Sequence, residues 1–186
     1  LKGIVFSGSE LQSVMEKHIT HHDHPADYLR ITILFEKPFW KSWLQDSYCM
    51  LDAFDGCCLY DESSRTPGAQ HGVLGWLLGG TAAKKMAGQN DKELIAAALE
   101  SLPFHHKDAK QLFREAKVHR WLGAVSAQPG GFQQYSTDSR HCPDPNDYSR
   151  LFVVGDYLFD STLNGVLDSA DYAAGWIATM AAKGNE

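Results

Sequence analysis

The residues of this chain best suited to chemistry lie in one stretch, Leu151-Phe-Val-Val-Gly-Asp156, the loop Tyr157 to Thr162, and Leu163-Asn-Gly-Val166. The apolar run Leu151 to Val154 reads as a short buried strand ending in Gly155-Asp156. A glycine at a strand end lets a ligand approach the backbone, and a carboxylate there accepts from sugar hydroxyls. The run Thr162-Leu163-Asn164-Gly165 then opens a helix from about Leu163 to Ala182, whose first turn offers unpaired N–H groups and a positive dipole end. Val166, Leu167, Ala170, Ala173, Ala174, Ile177 and Met180 form its expected inner side, and Gly165, Ser169 and Ala170 are small enough to pack on a flat cofactor or a sheet. The same spacing fits an ordinary strand-loop-helix unit, so the motif acquires meaning only in context.

Other groupings carry less. His21-His22-Asp23-His24 has ligand-type side chains, but adjacent residues of one polar loop (Thr20 to Pro25) do not surround an ion, and no spaced fourth ligand follows. No metal site is expected. Asp138-Ser139-Arg140-His141 contains the residue types of a hydrolase triad without anything that orders them into one relay. Trp40, Trp43, Phe54 and Trp76 suit either the walls of an apolar pocket or a plain core.

Three stretches, in order along the chain, resemble the flavin-containing amine oxidoreductases, the family of monoamine, polyamine and L-amino-acid oxidases and the carotenoid desaturase relatives. Phe152-Val-Val-Gly-Asp156 with Asn164-Gly-Val-Leu-Asp-Ser-Ala170 looks like that family's C-terminal flavin-binding signature. Leu29-Arg-Ile-Thr-Ile-Leu-Phe-Glu-Lys-Pro-Phe-Trp40 is similar to its strand ending in Pro-Phe-Trp, and Val118-His-Arg-Trp121 to the short strand whose Trp sits by the flavin ring. The resemblance implies an FAD-dependent oxidoreductase that takes hydride from an amine, an amino acid or an apolar compound to flavin N5. It places Gly155, Asp156, Thr162, Leu163, Asn164, Gly165 and Val166 at the cofactor, and Arg30 and Trp121 at the reacting groups. For Trp121 a core position at a strand end remains the other reading. The family's N-terminal G-x-G-x-x-G unit has no counterpart here, since Gly3 and Gly8 do not form it. The resemblance is thus to a C-terminal part, which implies an N-terminal FAD-binding half or a partner chain. A non-catalytic scaffold subunit, or a processed fragment, is the alternative; the first residue is Leu1 rather than Met.

Departures from the family pattern are informative. Where oxidases of the family commonly carry a Lys that holds a water at flavin N5, this chain has Arg30. Its planar fork suits a carboxylate or a substrate anion better than water activation; pairing with a carboxylate at a domain edge is the other reading. One tyrosine of the monoamine oxidase cage falls at Thr162, which does not stack against an amine. No Cys stands near Gly130-Gly131, so the expected FAD is non-covalent.

The elements that must position these residues follow from patterning. Ser9 to Lys17 suits a helix. Leu29 to Phe35 and Gly72 to Leu78 suit buried strands, and Tyr48 to Phe54 with Cys57 to Tyr60 a hairpin across Asp55-Gly56. Helices are expected over Thr81 to Ala87, Asp91 to Leu102 and Asp108 to Ala116, then a strand from Val118 to Trp121 and an irregular stretch to Arg150. The expected fold is α/β with α+β character: a mixed-sheet substrate domain over 1–148 and the C-terminal strand-loop-helix of an FAD-binding domain over 149–186. With 44% apolar residues the 186-residue chain can bury a core, and its net charge of −6 argues against a nucleic-acid partner. No run reaches the roughly 18 apolar residues of a spanning helix. Four cysteines without C-x-x-C spacing suit a reduced, cytoplasmic protein, and apolar surface on Val153, Val154, Leu167 and Ala174, uncovered without the N-terminal half, suits association into an oligomer.

Overall fold

The computed structural model describes residues 3–66, 68–103, 106–128 and 130–183. Its strands are β1 (Pro25–Phe35), β2 (Tyr48–Leu51), β3 (Cys57–Asp61), β4 (Gly72–Gly79) and β5 (Phe113–Ser126). The helices are α1 (Ser9–His22), α2 (Gly80–Met86), α3 (Asp91–Glu100), α4 (His106–Leu112), α5 (Thr137–His141) and α6 (Leu163–Lys183). Two compact units result, one over Ala26–Val125 and one made of Leu1–Pro25 with Ser126–Glu186. This division follows compactness, whereas the 148/149 boundary expected from sequence follows role.

The first unit is built on one sheet in the order β2-β3-β4-β1-β5. Alternation along β1 explains its two faces. Leu29, Ile31, Ile33 and Phe35 are fully buried, while Arg30, Thr32 and Leu34 stand half-buried on the opposite face. Antiparallel register sets Ile31 against Trp76 and Ile33 against Leu74, and Leu59 of β3 meets Trp76 from the other side. Leu94, Ala98 and Leu99 of α3 join that buried cluster. Each such side chain contributes about 1.5–3 kcal/mol by leaving water. Trp40 and Trp76 thereby belong to the core, with Trp76 Nε1 donating to Ser101 Oγ at 2.9 Å. The indole of Trp40 lies where a side chain on Gly72 would be, which explains that glycine.

Several expectations change here. The sheet is antiparallel rather than mixed: the Glu36 amide donates to the Leu112 carbonyl and the Ala127 amide to the His24 carbonyl, so β5 runs against β1. The helix expected to Ala116 stops at Leu112, because Phe113 already begins that ladder. The hairpin between β2 and β3 turns over Asp52 to Gly56, with Phe54, Asp55 and Gly56 all in the left-handed region, instead of over Asp55-Gly56 alone.

In the second unit, α1 continues through His22, so the first half of the expected polar loop, Thr20 to His22, is helix. His18 and His22 are buried there among the rings of Phe132, Tyr135 and Tyr157. Met15, Val153 and Leu158 form the small core. No strand forms over residues 151–154; the Leu151 amide donates to the Tyr148 carbonyl and the Val153 amide to the His141 carbonyl. The inner side of α6 also differs from expectation. Gly165, Ser169 and Ala173 face inward, while Val166, Leu167, Ala170, Ala174 and Ile177 are exposed.

Candidate functional site

The start of α6 is fixed by its own sequence. Thr162 is the N-cap: its Oγ1 accepts from the Gly165 amide at 3.1 Å, and its carbonyl accepts from Val166 at 3.2 Å. The Thr162 amide in turn donates to the Asp160 carbonyl at 2.7 Å, and the Thr162 hydroxyl to the Asp160 carboxylate at 3.3 Å. Gly165 is required here because a Cβ would overlap the Asp160 backbone. Helix geometry leaves the Leu163 and Asn164 amides without intrahelical acceptors, at the positive end of a 21-residue dipole. Leu163 is 77% exposed and Val166 is exposed beside it, so the helix start lies open.

Gly155 and Asp156 stand just before this turn. The Gly155 amide donates to Ser169 Oγ of α6 at 3.0 Å, which ties the Gly-Asp step to the helix. A Cβ on Gly155 would meet the Tyr157 ring, so the ring packs closely against this glycine. The half-buried Asp156 carboxylate receives no hydrogen bond among the described residues. Burial, and then the Asp156 charge, push the Tyr157 phenol up to about 12.

A second group lies on the sheet of the other unit. Arg30 stands on the face of β1 opposite the core, and its Nη2 bonds Glu62 Oε1 at 2.6 Å. Trp121 is 41% exposed on β5 and stacks with His119 at 5.6 Å between ring centroids. Ala116, Val118 and Arg120 alternate with these rings and turn to the core side, where Arg120 pairs with Asp91 at 2.7 Å. Arg30 and Trp121 therefore share the sheet's open face. Patterning singled out Ser169 only for its size and His141 only as part of an unordered run, and it did not point to Glu62 or to the contacts that Ser169 makes with Gly155 and His141. Only a register that brings β3 next to β4, and β4 next to β1, puts Glu62 within reach of Arg30.

The histidine segment forms a packed cluster. His18 and His22 rings are 4.6 Å apart, and His21 stacks on Tyr135 at 3.7 Å. Burial, with the charges of His21 and His141, brings His18 down to about 4. Burial brings His22 down to about 3, helped by His18, His21, Arg140 and His24. No three ligand-type side chains are arranged to hold a metal ion among the described residues.

The chain belongs to the flavin containing amine oxidoreductases, whose family model matches residues 26–178. Among solved structures it is similar to cyclohexylamine oxidase from Brevibacterium oxydans IH-35A, with TM-score 0.60 and 15% identity, covering 84% of this chain and 36% of that one. It is also similar to a putative protoporphyrinogen oxidase from Exiguobacterium sp. 255-15, with TM-score 0.55 and 11% identity, covering 84% of this chain and 35% of that one. At these identities the likeness is one of fold, and the chain spans about a third of the length of each of these structures. No curated protein matches the chain. Among the described residues no helix is long and apolar enough to cross a membrane.

Proposed function

We propose that this chain provides the C-terminal flavin contacts and the substrate-facing sheet of an FAD-dependent oxidoreductase, working with an N-terminal FAD-binding half or a partner chain. The carrying observation is the open, Thr162-capped start of α6 with the unengaged Asp156 carboxylate before it, inside the family-matched region. This donor and acceptor set fits one edge of a non-covalent FAD. The Leu163 and Asn164 amides suit the electron-rich carbonyl edge of the ring, and Asp156 suits a ribityl hydroxyl. When bound, FAD supplies the hydride acceptor for an organic substrate such as an amine, an amino acid or an apolar compound.

The protein's own part is binding and electrostatics. The α6 dipole favours negative charge at its start, and Gly155 keeps Asp156 in place through Ser169. Trp121 gives the open sheet face an aromatic wall for the substrate, and Arg30, paired with Glu62, lies on the same face. Four free cysteines suit a reduced, cytoplasmic setting. The engagement of Arg30 by Glu62 favours a second reading, a non-catalytic binding subunit, because that cation is already occupied.

Flavin retention tests the main reading. Replacing Asp156 by Ala in the flavin-loaded protein should lower the flavin left after extensive dialysis; unchanged stoichiometry counts against the assignment. Titrating FAD into the 186-residue chain alone should give only weak binding, since a complete site also needs pyrophosphate contacts worth about 1.5–3 kcal/mol each. Sub-micromolar binding by a monomer would overturn the half-site view.

A further inference from the structure

Arg30 reaches Glu62 across an intervening strand. The register aligns Thr32 of β1 with Gly75 of β4, and Gly75 with Tyr60 of β3. Gly75 thus lies between the strand that carries Arg30 and the strand end that leads into Glu62. A Cβ on Gly75 would stand 3.4 Å from both Arg30 Nη2 and Glu62 Oε1, so the pair lies directly over that glycine. Arg30 is 34% exposed and Glu62 17%, which removes the contact from full solvent screening. The neighbouring Asp61 accepts from the amide and hydroxyl of Ser63, so Glu62 is the carboxylate that meets Arg30. Arg65 also approaches Glu62, at 3.7 Å, with a largely exposed side chain.

We propose that Glu62 is a specificity-determining residue that closes Arg30 to substrate anions. The inference rests on the reading of this sheet face as the substrate face. A guanidinium at this position, left alone, is a carboxylate receptor. Glu62 takes that role internally and neutralises the charge. A substrate carboxylate arriving here must displace a partly buried carboxylate already in contact, whereas a neutral or cationic group pays no such penalty. The face therefore selects substrates that are uncharged or cationic where they meet β1. Glu62 acts through Arg30, which makes it a positioning residue.

Benzoate, a planar carboxylate probe, tests this by calorimetric titration of the 186-residue chain. The variant Glu62→Gln should bind benzoate at least about tenfold more tightly than the unmodified chain, the scale of one charge-assisted hydrogen bond. The double variant R30Q/E62Q should lose that gain, and R65Q/E62Q should keep it. A residue with a purely structural role would not raise an affinity when replaced. Glu62→Asp, with a carboxylate one methylene shorter, should give an intermediate gain and serves as the reading if E62Q does not fold. Equal affinities for the unmodified chain and E62Q, or a gain that survives R30Q, overturn the proposal. The flavin assignment fails separately, through unchanged flavin retention in D156A, with the benzoate result intact.

Discussion

The Ser169 hydroxyl joins Gly155 and His141: it accepts from the Gly155 amide at 3.0 Å and lies 3.0 Å from His141 Nε2. His141 Nδ1 is 2.8 Å from the Thr137 carbonyl, which fixes the tautomer with Nδ1 as donor and Nε2 as acceptor of the Ser169 proton. Burial lowers the His141 pKa, in keeping with a neutral ring at that place. One side chain of α6 thereby holds both the Gly-Asp step and α5.

Replacing Ser169 by Ala should destabilise the second unit by about 1–3 kcal/mol, because a partly buried amide and a buried imidazole nitrogen lose their partner together. Urea unfolding measures the loss. Hydrogen exchange at the Gly155 amide, faster in the variant, would locate it.

Gly165→Ala should be costlier than its size suggests. The added methyl would overlap the Asp160 carbonyl, and backbone yields poorly. Overpacking of this kind costs about 1–3 kcal/mol. A variant with unchanged unfolding midpoint would show that the turn over 160–162 adapts.

Thr162→Ala should cost about 1 kcal/mol by removing the cap on the Gly165 amide, and Thr162→Ser should restore most of it. The rescue by Ser separates the cap from any packing of the Thr methyl.

Acid should weaken the second unit selectively. His18 and His22 titrate near 4 and 3 when folded and near 6.5 when unfolded, so between those values the unfolded chain binds more protons. Stability is complete above about pH 7 and falls as pH drops from 6.5 towards 4, by up to about 1.4 kcal/mol per pH unit for each histidine. The neighbouring His21, His24 and Arg140 act on the pair in the same direction as burial, and the Tyr157 phenol that faces both rings carries no charge in this range. Unfolding midpoints from pH 8 to pH 4 check this, and His22→Phe should flatten the profile.

Much of the first unit was legible because one face of each element decides its pattern. The apolar runs Leu29 to Phe35 and Gly72 to Leu78 marked β1 and β4, and the patterning over Asp91 to Leu102 marked α3. The second unit was less so. Its inward side of α6 follows from Gly165, Ser169 and Ala173, small residues that admit the 155–160 turn at close range, while the larger apolar residues point away. Hydrophobicity alone selects the opposite side. Likewise the α1 histidines look like loop residues until rings from 132 to 157 surround them. At the site, the cap and the glycines were legible as types, but the Arg30 partner and the Ser169 bridge depend on residues 32 and 14 positions away.

Trp121 is exposed where Trp40 and Trp76 are fully buried and Trp43 is half-buried, which gives the first unit fluorophores of unequal access. The sealed indoles emit at short wavelength and are out of reach of acrylamide, whereas Trp121 emits to the red and is quenched on contact. With the half-buried Trp43 and Trp176 replaced by Phe, emission recorded with and without acrylamide reads the open sheet face apart from the buried core. Anything that comes to rest on that face, whether a flavin ring, a substrate or another chain, should be visible as light lost from, or protected at, Trp121.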